Sequence, residues 1–483
     1  MAYKDVQDFI RKLESEGELH RIEREVDPYL EITEITDRVS KAGGPALLFE
    51  HVKGSEFPVL MNAMGSYKRM AMALGVDNLE EKKEEIAELI KWGFSQAKSI
   101  DIPSIIPKLS LFRTFFPRKV RKASCQEVID HDPDLSNLPI LTCWPQDGGP
   151  FLTLPLVFTK DPESGVSNLG MYRMQVFDKN TTGMHWHIHK DGSHFYQKYK
   201  MRKEVMPVAV ALGCDPAITY AATAPLPEGI YEILFAGFLR GKSVDMVDCV
   251  TIPLQVPADA EFVLEGYVDP QEALHTEGPF GDHTGYYSLQ GEYPVFHVQC
   301  ITRKRNPVYP ATVVGKPPME DCYMAKATER LFLPLLQLVI PEIVDLELPL
   351  AGVFHNCAIV SIKKRYPAQV QKVMYALWGL GQMMYTKMII VVDDSVDVHD
   401  LSTVMWKVFN NIDGKRDILF SEGPLDALDH ASPQVLQGTR IGIDATKKTL
   451  FDGHTRPWPD DIEMDQSVKE RVDGFWASLG LEG

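Results

Sequence analysis

The chain has 483 residues, of which 45% are hydrophobic and 24% are charged. This composition is typical of a globular protein of two to four domains, and it excludes an intrinsically disordered or collagen-like chain. The 50 Lys and Arg residues against 67 Asp and Glu residues give a net charge of −17. Such a chain lacks the overall positive field that drives nucleic-acid binding, so we expect no nucleic-acid partner.

The first part of the chain predicts a small α/β domain over residues 1–98. Apolar residues recur there at helical spacing in some segments and form short continuous runs in others. The predicted helices span 3–17, 31–41 and 79–97, and the predicted strands span 46–49 and 58–64. Gly43 and Gly44 are expected to end the second helix.

Residues 99–124 contain three prolines and little periodicity, which predicts a linker. Short β-rich runs separated by Gly, Pro and Asp then predict a barrel or sandwich over residues 125–312. The predicted strands are 153–159, 170–178, 205–213, 217–221, 261–268 and 294–303, with one helix at 229–239.

Residues 313–483 alternate between helical and strand patterns, which predicts a second α/β domain with a buried sheet. The predicted elements are helices at 321–338, 367–383 and 401–411 and strands at 357–362 and 388–392. A terminal amphipathic helix is predicted over 464–480. A helix of this kind usually docks on its own domain or on a neighbouring subunit.

Targeting and disulfide signals are missing from the sequence. The longest apolar run, 331–340, is shorter than the roughly 18 residues that a membrane-spanning helix needs. The charged N-terminal segment lacks the apolar core of a secretory signal. The seven cysteines include no C-x-x-C spacing, which argues against a disulfide framework and a thiolate zinc site. We therefore expect a cytoplasmic protein.

Histidines are concentrated at His185, His187 and His189, which would share one face of a strand. Metal or anion binding and a solvated strand edge explain this spacing equally well. Asn168 and Glu232 could complete a metal site, although a solvated helix glutamate is the alternative for the latter. Asn, His and Glu are fairly hard ligands that suit Mn²⁺ or Mg²⁺.

A glycine-rich acidic loop contains Glu277 and Asp282, five residues apart. Two converging carboxylates separate their pKa values, so that one of them can keep a proton and act as a general acid. An acidic surface turn is the alternative. Arg173 lies in an apolar strand-like run, which indicates either a structural salt bridge or an anionic ligand. The glycine-rich phosphate loops and the G-x-S-x-G elbow are absent from the sequence.

Several segments resemble the UbiD family of prenylated-flavin-dependent decarboxylases, which act on aromatic and unsaturated acids. The resemblance covers essentially the whole chain. It is carried by EGPFGDHTGYY at 277–287, SNLGMYR at 167–173, YTKMIIVVDD at 385–394 and GKPP at 315–318. It implies an N-terminal α/β domain, a central split β-barrel of the flavin-reductase type and a C-terminal α/β domain that makes oligomer contacts.

The resemblance also implies the site residues. A divalent ion, typically Mn²⁺ with K⁺ nearby, would bind Asn168, His189 and Glu232 and hold the phosphate of prenylated FMN. Lys387 would contact that phosphate. The catalytic residues would be Arg173, Glu277 and Asp282. The cofactor contacts would be Asn168, Met171, Tyr172, Arg173, His185, Trp186, His187, Lys190 and Asp191.

Loss of CO₂ from an sp² carbon leaves a carbanion, for which side chains provide no electron sink, so a cofactor must. The resemblance implies a reversible, non-oxidative decarboxylation through a covalent substrate–cofactor adduct, with reprotonation by Asp282. The substrate would be a hydroxybenzoate- or naphthoate-type acid, of ubiquinone, menaquinone or aromatic acid metabolism, or an unsaturated acid. A polyprenylated substrate would bring peripheral membrane association.

A flavin prenyltransferase would supply the cofactor, and we expect a homo-oligomer, either a dimer or a hexamer. Two other functions compete with this one. The first is a flavin-dependent oxidoreductase that uses ordinary FMN. The second is a non-catalytic subunit of a multi-subunit aromatic carboxylase, which a broken set of catalytic residues would favour.

Overall fold

Helices and strands alternate at both ends of the chain, whereas short strands dominate its middle. The computed structural model describes residues 2–98, 112–186, 191–227 and 229–481. The helices are α1 (Val6–Ser15), α2 (Glu31–Lys41), α3 (Tyr67–Ala73), α4 (Leu79–Lys98), α5 (Asp191–Arg202), α6 (Pro216–Ala221), α7 (Glu232–Arg240), α8 (Glu320–Val339), α9 (Gln369–Trp378), α10 (Leu401–Asn411) and α11 (Gln466–Trp476).

The strands divide into three consecutive groups. The N-terminal strands are β1 (Leu19–Ile22), β2 (Ala46–Phe49) and β3 (Val59–Met61). The central strands are β4 (Arg118–Lys119), β5 (Val128–Asp130), β6 (Phe151–Leu152), β7 (Leu156–Lys160), β8 (Ser167–Met171), β9 (Met174–Gln175), β10 (Thr181–Gly183), β11 (Met206–Leu212), β12 (Asp245–Asp248), β13 (Gln255–Pro257), β14 (Phe262–Val268), β15 (His275–Glu277), β16 (Phe280–Gly281), β17 (Tyr287–Ser288), β18 (Gly291–Tyr293), β19 (Val295–Arg303) and β20 (Tyr309–Pro310). The C-terminal strands are β21 (Ile343–Glu347), β22 (Cys357–Ile362), β23 (Met388–Asp393), β24 (Ile418–Pro424) and β25 (Gln437–Asp444).

The N-terminal sheet has the order β1-β2-β3-β20. Its fourth strand therefore comes from a much later part of the chain, since Tyr309 and Pro310 pair with Val59 and Leu60. The predicted boundaries of the domains stay predictions. Residues 99–111 of the predicted linker lie outside the described residues, and its later part contains β4, which pairs with β12.

The central sheet has the order β10-β19-β14-β11-β7-β8, with β5 paired to β19. Both of its faces are buried, because successive side chains of a strand point to opposite sides. In β11, Val208 and Val210 belong to one apolar cluster, whereas Ala209 and Ala211 belong to another. Within the described residues no ladder joins β10 to β8, and the split barrel stays a prediction.

The C-terminal sheet has the order β21-β22-β23-β25-β24, in which β22, β23 and β25 run parallel. Apolar residues of α8 and α9 cover one face, and those of α10 cover the other. The mixed α/β architecture that the sequence predicts is confirmed. No helix of the described residues is long and apolar enough to cross a membrane.

The terminal helix α11 buries none of its residues. Phe475 and Trp476 are 44% and 50% exposed, so the apolar side of this helix does not dock on its own domain.

Two local predictions are wrong. Residues 217–221 form helix α6 rather than a strand, because Asp215 accepts a hydrogen bond from the backbone N–H of Ala217 and Pro216 occupies the first helical position. His185 lies after the end of β10 rather than on a strand. The N–H of Trp186 donates to the carbonyl of Met184 at 2.8 Å, and this tight turn takes the chain off the sheet.

Replacement of Gly266 by Ala should destabilise the central sheet. At this irregularity in the pairing of β14 with β19, an added Cβ would lie 1.9 Å from the carbonyl oxygen of His297. Backbone must move to relieve the clash, so we expect the free energy of unfolding to fall by about 1–3 kcal/mol. Gly93→Ala, in an open position of helix α4, is the matched control and should raise it by about 0.5–1 kcal/mol. Urea denaturation measures both. Equal effects of the two substitutions would contradict this account of the sheet.

Candidate active site

Arg173 follows β8 and binds two acidic side chains at once. Its Nε donates to Oε1 of Glu277 at 3.0 Å, and its Nη1 donates to Oδ2 of Asp282. Nη2 donates to the hydroxyl of Ser288 at 3.0 Å, and the ring of Phe280 lies 4.8 Å from the guanidinium carbon. Each of the three guanidinium nitrogens therefore has a hydrogen-bond partner, which fixes both the position and the orientation of the group.

Glu277 ends strand β15, and its side chain is fully buried. Its Oε1 accepts hydrogen bonds from Arg173 and from Nδ1 of His185, the latter at 2.7 Å. Its Oε2 has no hydrogen-bond partner among the described residues. Burial lowers the pKa of His185 below 6.5, so its ring is neutral and Nδ1–H is the donor to the carboxylate.

The loop between the two acids is held by side chains that accept its backbone N–H groups. Gly278, with a φ of 95°, donates to Oε1 of Gln175 at 2.7 Å, and Gly281 donates to Oδ1 of Asp147 at 2.7 Å. A side chain at position 281 would collide with the ring of Trp144, since an added Cβ would lie 2.1 Å from it. The glycines thus let the loop turn back sharply enough to return Asp282 to the guanidinium.

The surroundings of Asp282 favour its carboxylate form. Burial alone would raise its pKa, but hydrogen bonds from His283 and the charge of Arg173 outweigh burial and hold the pKa well below its usual range. The sequence predicts that two converging carboxylates keep one proton between them. This stays a prediction, and the structure adds that Arg173 lies between the two acids, with its Nε donating to Glu277 and its Nη1 to Asp282.

Two of the three predicted metal ligands lie close together. Oε2 of Glu232, at the start of α7, accepts the N–H of Leu169 at 2.7 Å, and Leu169 follows Asn168 in β8. Nδ2 of Asn168 and the hydroxyl of Thr159, directly opposite it in the pairing of β7 with β8, are buried without a hydrogen-bond partner in the described chain. The unsatisfied NH₂ group can donate to a phosphate, whereas the Thr159 hydroxyl and the Glu232 carboxylate offer oxygen atoms to a hard ion.

The histidine-rich segment is described only in part. His187, His189 and Lys190 lie outside the described residues, as does the side chain of Asp191. Trp186 is 7% exposed, and its Nε1–H has no hydrogen-bond partner within the described residues. A buried donor of this kind fits a ligand that supplies an acceptor.

The remaining predicted cofactor contacts occupy different surroundings. Tyr172 is 6% exposed and belongs to the main apolar cluster of the sheet, whereas Met171 is half-buried. Lys387 precedes β23, and its Nζ donates to Oδ2 of Asp429 at 2.6 Å. The residue after Asp429 is His430, whose ring centroid lies 5.9 Å from that of Tyr286 in the acidic loop. Lys387 thus lies near that loop, and its phosphate contact stays a prediction.

Sequence reasoning missed several residues that hold this centre. Gln175 shares a strand face with Arg173 by spacing, and Ser288 belongs to the same continuous segment as Asp282, so both carried a local signal. The sequence pattern indicates no role for His283, although this residue follows Asp282 directly. His355 carried no signal, because it is 72 residues from its partner His283.

Comparison with protein families accounts for most of the chain. Three models of the 3-octaprenyl-4-hydroxybenzoate carboxy-lyase match it in sequence: the N-terminal domain over residues 10–90, the Rift-related domain over 118–317 and the C-terminal domain over 322–445. The chain belongs to the UbiD family of carboxy-lyases.

An uncharacterized protein of Archaeoglobus fulgidus is 52% identical to this UbiD family member over 481 residues, which is 99% of either chain. The vanillic acid decarboxylase of Sedimentibacter hydroxybenzoicus in its closed form is 28% identical with a TM-score of 0.85, and 99% of both chains is covered. An evolved dimeric form of the UbiD-class enzyme HmfF from Pelotomaculum thermopropionicum, in complex with prFMN, is 25% identical with a TM-score of 0.79, covering 98% of this chain and 99% of that one.

Removal of Arg173 should destabilise this UbiD protein strongly. Arg173→Met leaves Glu277 and Asp282 buried without their cation, so we expect the free energy of unfolding to fall by about 3 kcal/mol or more at pH 8. The loss should shrink toward pH 5, where the two carboxyl groups can take up a proton. Arg118→Met, which breaks an exposed ion pair with Asp245, is the matched control and should change stability little. Urea denaturation at both pH values measures the difference. A similar effect of the two substitutions would show that the buried acids do not depend on Arg173.

Proposed function

We propose that the chain catalyses the reversible, non-oxidative decarboxylation of an aromatic carboxylic acid of the hydroxybenzoate or naphthoate type, or of an unsaturated acid, with prenylated FMN. The observation that carries this proposal is the single guanidinium of Arg173 held between Glu277 and Asp282. Membership of the UbiD family and likeness to a vanillic acid decarboxylase and to an enzyme in complex with prFMN support it.

Asn168, His189 and Glu232 would hold Mn²⁺ or Mg²⁺, with K⁺ nearby, and the ion would bind the cofactor phosphate. The unsatisfied amide of Asn168 and the orphaned Nε1–H of Trp186 support a ligand between these elements. Prenylated FMN supplies the electron sink that the side chains of the protein lack. The central sheet would then form the flavin-reductase-like split barrel around it.

The side chains of this protein would attract the substrate carboxylate and deliver the proton that the reaction consumes. Arg173 carries the positive charge between the two buried acids, and it would offer a local positive field to a substrate carboxylate approaching a chain of net charge −17. Glu277 and Ser288 hold the guanidinium, which in turn holds Asp282. Asp282 would return a proton to the carbon that has lost CO₂.

We further propose that a flavin prenyltransferase supplies the cofactor and that the chain forms a homo-oligomer, a dimer or a hexamer. The exposed aromatic residues Phe475 and Trp476 of α11 support the second of these, because such a surface is usually covered by another chain. The likeness to a dimeric UbiD-class enzyme is in accord with it.

Glu232→Gln should weaken the binding of the divalent ion. Glutamine still accepts the N–H of Leu169, so the fold should persist while the anionic ligand is lost. We expect at least a ~10-fold fall in affinity for Mn²⁺, measured by elemental analysis across a dialysis series, and a parallel loss of bound flavin. Glu204→Gln, at an exposed glutamate paired with Arg202, is the control and should retain both. Equal metal content in the two variants would remove Glu232 from the site.

Asp282→Asn should abolish most of the turnover. Asparagine keeps the size of the side chain but cannot deliver a proton, so we expect kcat to fall by at least ~10². The measurement is anaerobic release of CO₂ from a panel of aromatic and unsaturated acids by cofactor-loaded protein. Flavin and metal contents should stay near those of the unmodified protein, and Glu277→Gln should also impair turnover by loosening Arg173.

A loaded wild-type protein that releases no CO₂ from the panel would overturn the proposed function, and oxidation of a reduced nicotinamide would point to an oxidoreductase instead. A fully active, cofactor-loaded Asp282→Asn protein would remove Asp282 from the reaction.

A further inference from the structure

Asp282 is connected to the C-terminal domain by a chain of two imidazoles. Its Oδ1 lies 3.0 Å from Nδ1 of His283 and accepts the N–H of the same residue at 2.8 Å. Nε2 of His283 lies 2.9 Å from Nε2 of His355, which is in the loop before β22. The hydrogen bonds therefore run from the carboxylate of the acidic loop to the loop that precedes β22 of the C-terminal sheet.

The reaction consumes a proton at a group that is poorly placed to obtain one. Each conversion of a carboxylate into CO₂ and a C–H bond takes up one proton, and the side chain of Asp282 is only 9% exposed. Its Oδ2 is bound to Arg173, which stays protonated and cannot supply the proton. The other contact is with His283, whose side chain is 21% exposed and thus closer to water.

The charges around the two imidazoles assign the protons. Burial would lower the pKa of His283, but the hydrogen bond to Asp282 and the charges of Asp282, Asp321 and Asp426 raise it above 6.5. Burial and the neighbouring charge of His283 lower the pKa of His355 to about 4, against the opposite effect of Asp426, Asp282 and Asp429. These charges favour the imidazolium form of His283, in which Nε2–H can donate to the ring of His355, 2.9 Å away.

The position of His355 is built by an unusual backbone. Val353 and Phe354 have φ values of 45° and 52°, in the left-handed region that residues with side chains rarely adopt. The ring of Phe354 stacks on His283 with centroids 5.1 Å apart. Backbone conformations of this kind persist where the surrounding structure requires them, and they concentrate at functional sites.

We propose that His283 is the positioning residue that returns a proton to Asp282 in each turnover. His355, from the C-terminal domain, fixes the orientation of the His283 ring through the contact between the two Nε2 atoms. The proton leaves Nδ1 of His283 for Oδ1 of Asp282, which gives a neutral imidazole and a carboxylic acid. The acid then protonates the carbon that has lost CO₂ and becomes a carboxylate, and a hydronium ion from the solvent returns a proton to Nδ1 of the imidazole, so that each turnover consumes one solvent proton. This inference rests on the proposed function.

The interaction between Asp282 and His283 can be tested on the protein without cofactor, so that no turnover is needed. The rate of deuterium exchange at the imidazole C2 position, followed by mass spectrometry of histidine peptides across pH, reports the pKa of His283. We expect this pKa to fall by about one pH unit or more in Asp282→Asn, because the carboxylate that favours the imidazolium is gone. The exchange profile of His297, which is bound to Glu272 elsewhere, should be the same in both proteins. An unchanged pKa of His283 would overturn the inference.

The loaded enzyme supplies the second readout. Because the imidazolium is the required form, wild-type kcat should fall as pH rises through the pKa of His283. His283→Gln should lower kcat by about 10² with little change in KM. The fall of kcat at alkaline pH should be absent from the pH profile of this variant. His355→Gln keeps an acceptor for the Nε2–H of His283. Its kcat should fall less than that of His283→Gln and should still decrease at alkaline pH. His297→Gln, the matched control, should behave as wild type.

A His283→Gln protein with wild-type kcat and the same fall of kcat at alkaline pH would overturn the inference while leaving the proposed function intact. A wild-type protein that decarboxylates no acid of the panel, although the pKa of His283 still depends on Asp282, would overturn the proposed function. The two failures are therefore distinguishable.

Discussion

The site depends on one guanidinium that is hydrogen-bonded to two buried acidic side chains. Without Arg173, Glu277 and Asp282 would lie as uncompensated charges in a region nearly closed to water, and such charges cost several kcal/mol each. Its planar fork also determines direction, because each acid must meet a particular N–H group. The glycines of the acidic loop and the side chains that accept its backbone N–H groups bring Asp282 to that fork.

This arrangement creates a problem of proton balance. A carboxylate that is stabilised as an anion by Arg173 is a poor store of protons, so a group with a pKa closer to neutrality must stand beside it. His283 occupies that place, and its second nitrogen reaches His355. The same hydrogen bonds therefore join the acidic loop to the C-terminal α/β domain.

Much of the architecture could be predicted from periodicity. Helices α2 and α10 and strand β22 begin and end where the apolar pattern predicts, because their own residues determine them. The strand predicted over residues 217–221 was wrong because the helix N-cap, Asp215, lies outside that segment and determines its conformation. In the site, the local pattern could not separate a general acid from a surface turn. Only the resemblance to the UbiD family pointed to Arg173 as the partner of both acids, and no pattern at all pointed to His355.

The fourth strand of the N-terminal sheet has a consequence for how the chain can be divided. Because β20 follows the whole central sheet in sequence, the N-terminal sheet cannot be completed until the ribosome has released residues 309–310. Until then the edge of β3 presents unpaired backbone groups, which are a template for association with other chains. A fragment cut after residue 98 would keep that open edge permanently. The first and central parts of the chain thus share one sheet, although the family models match them as separate domains.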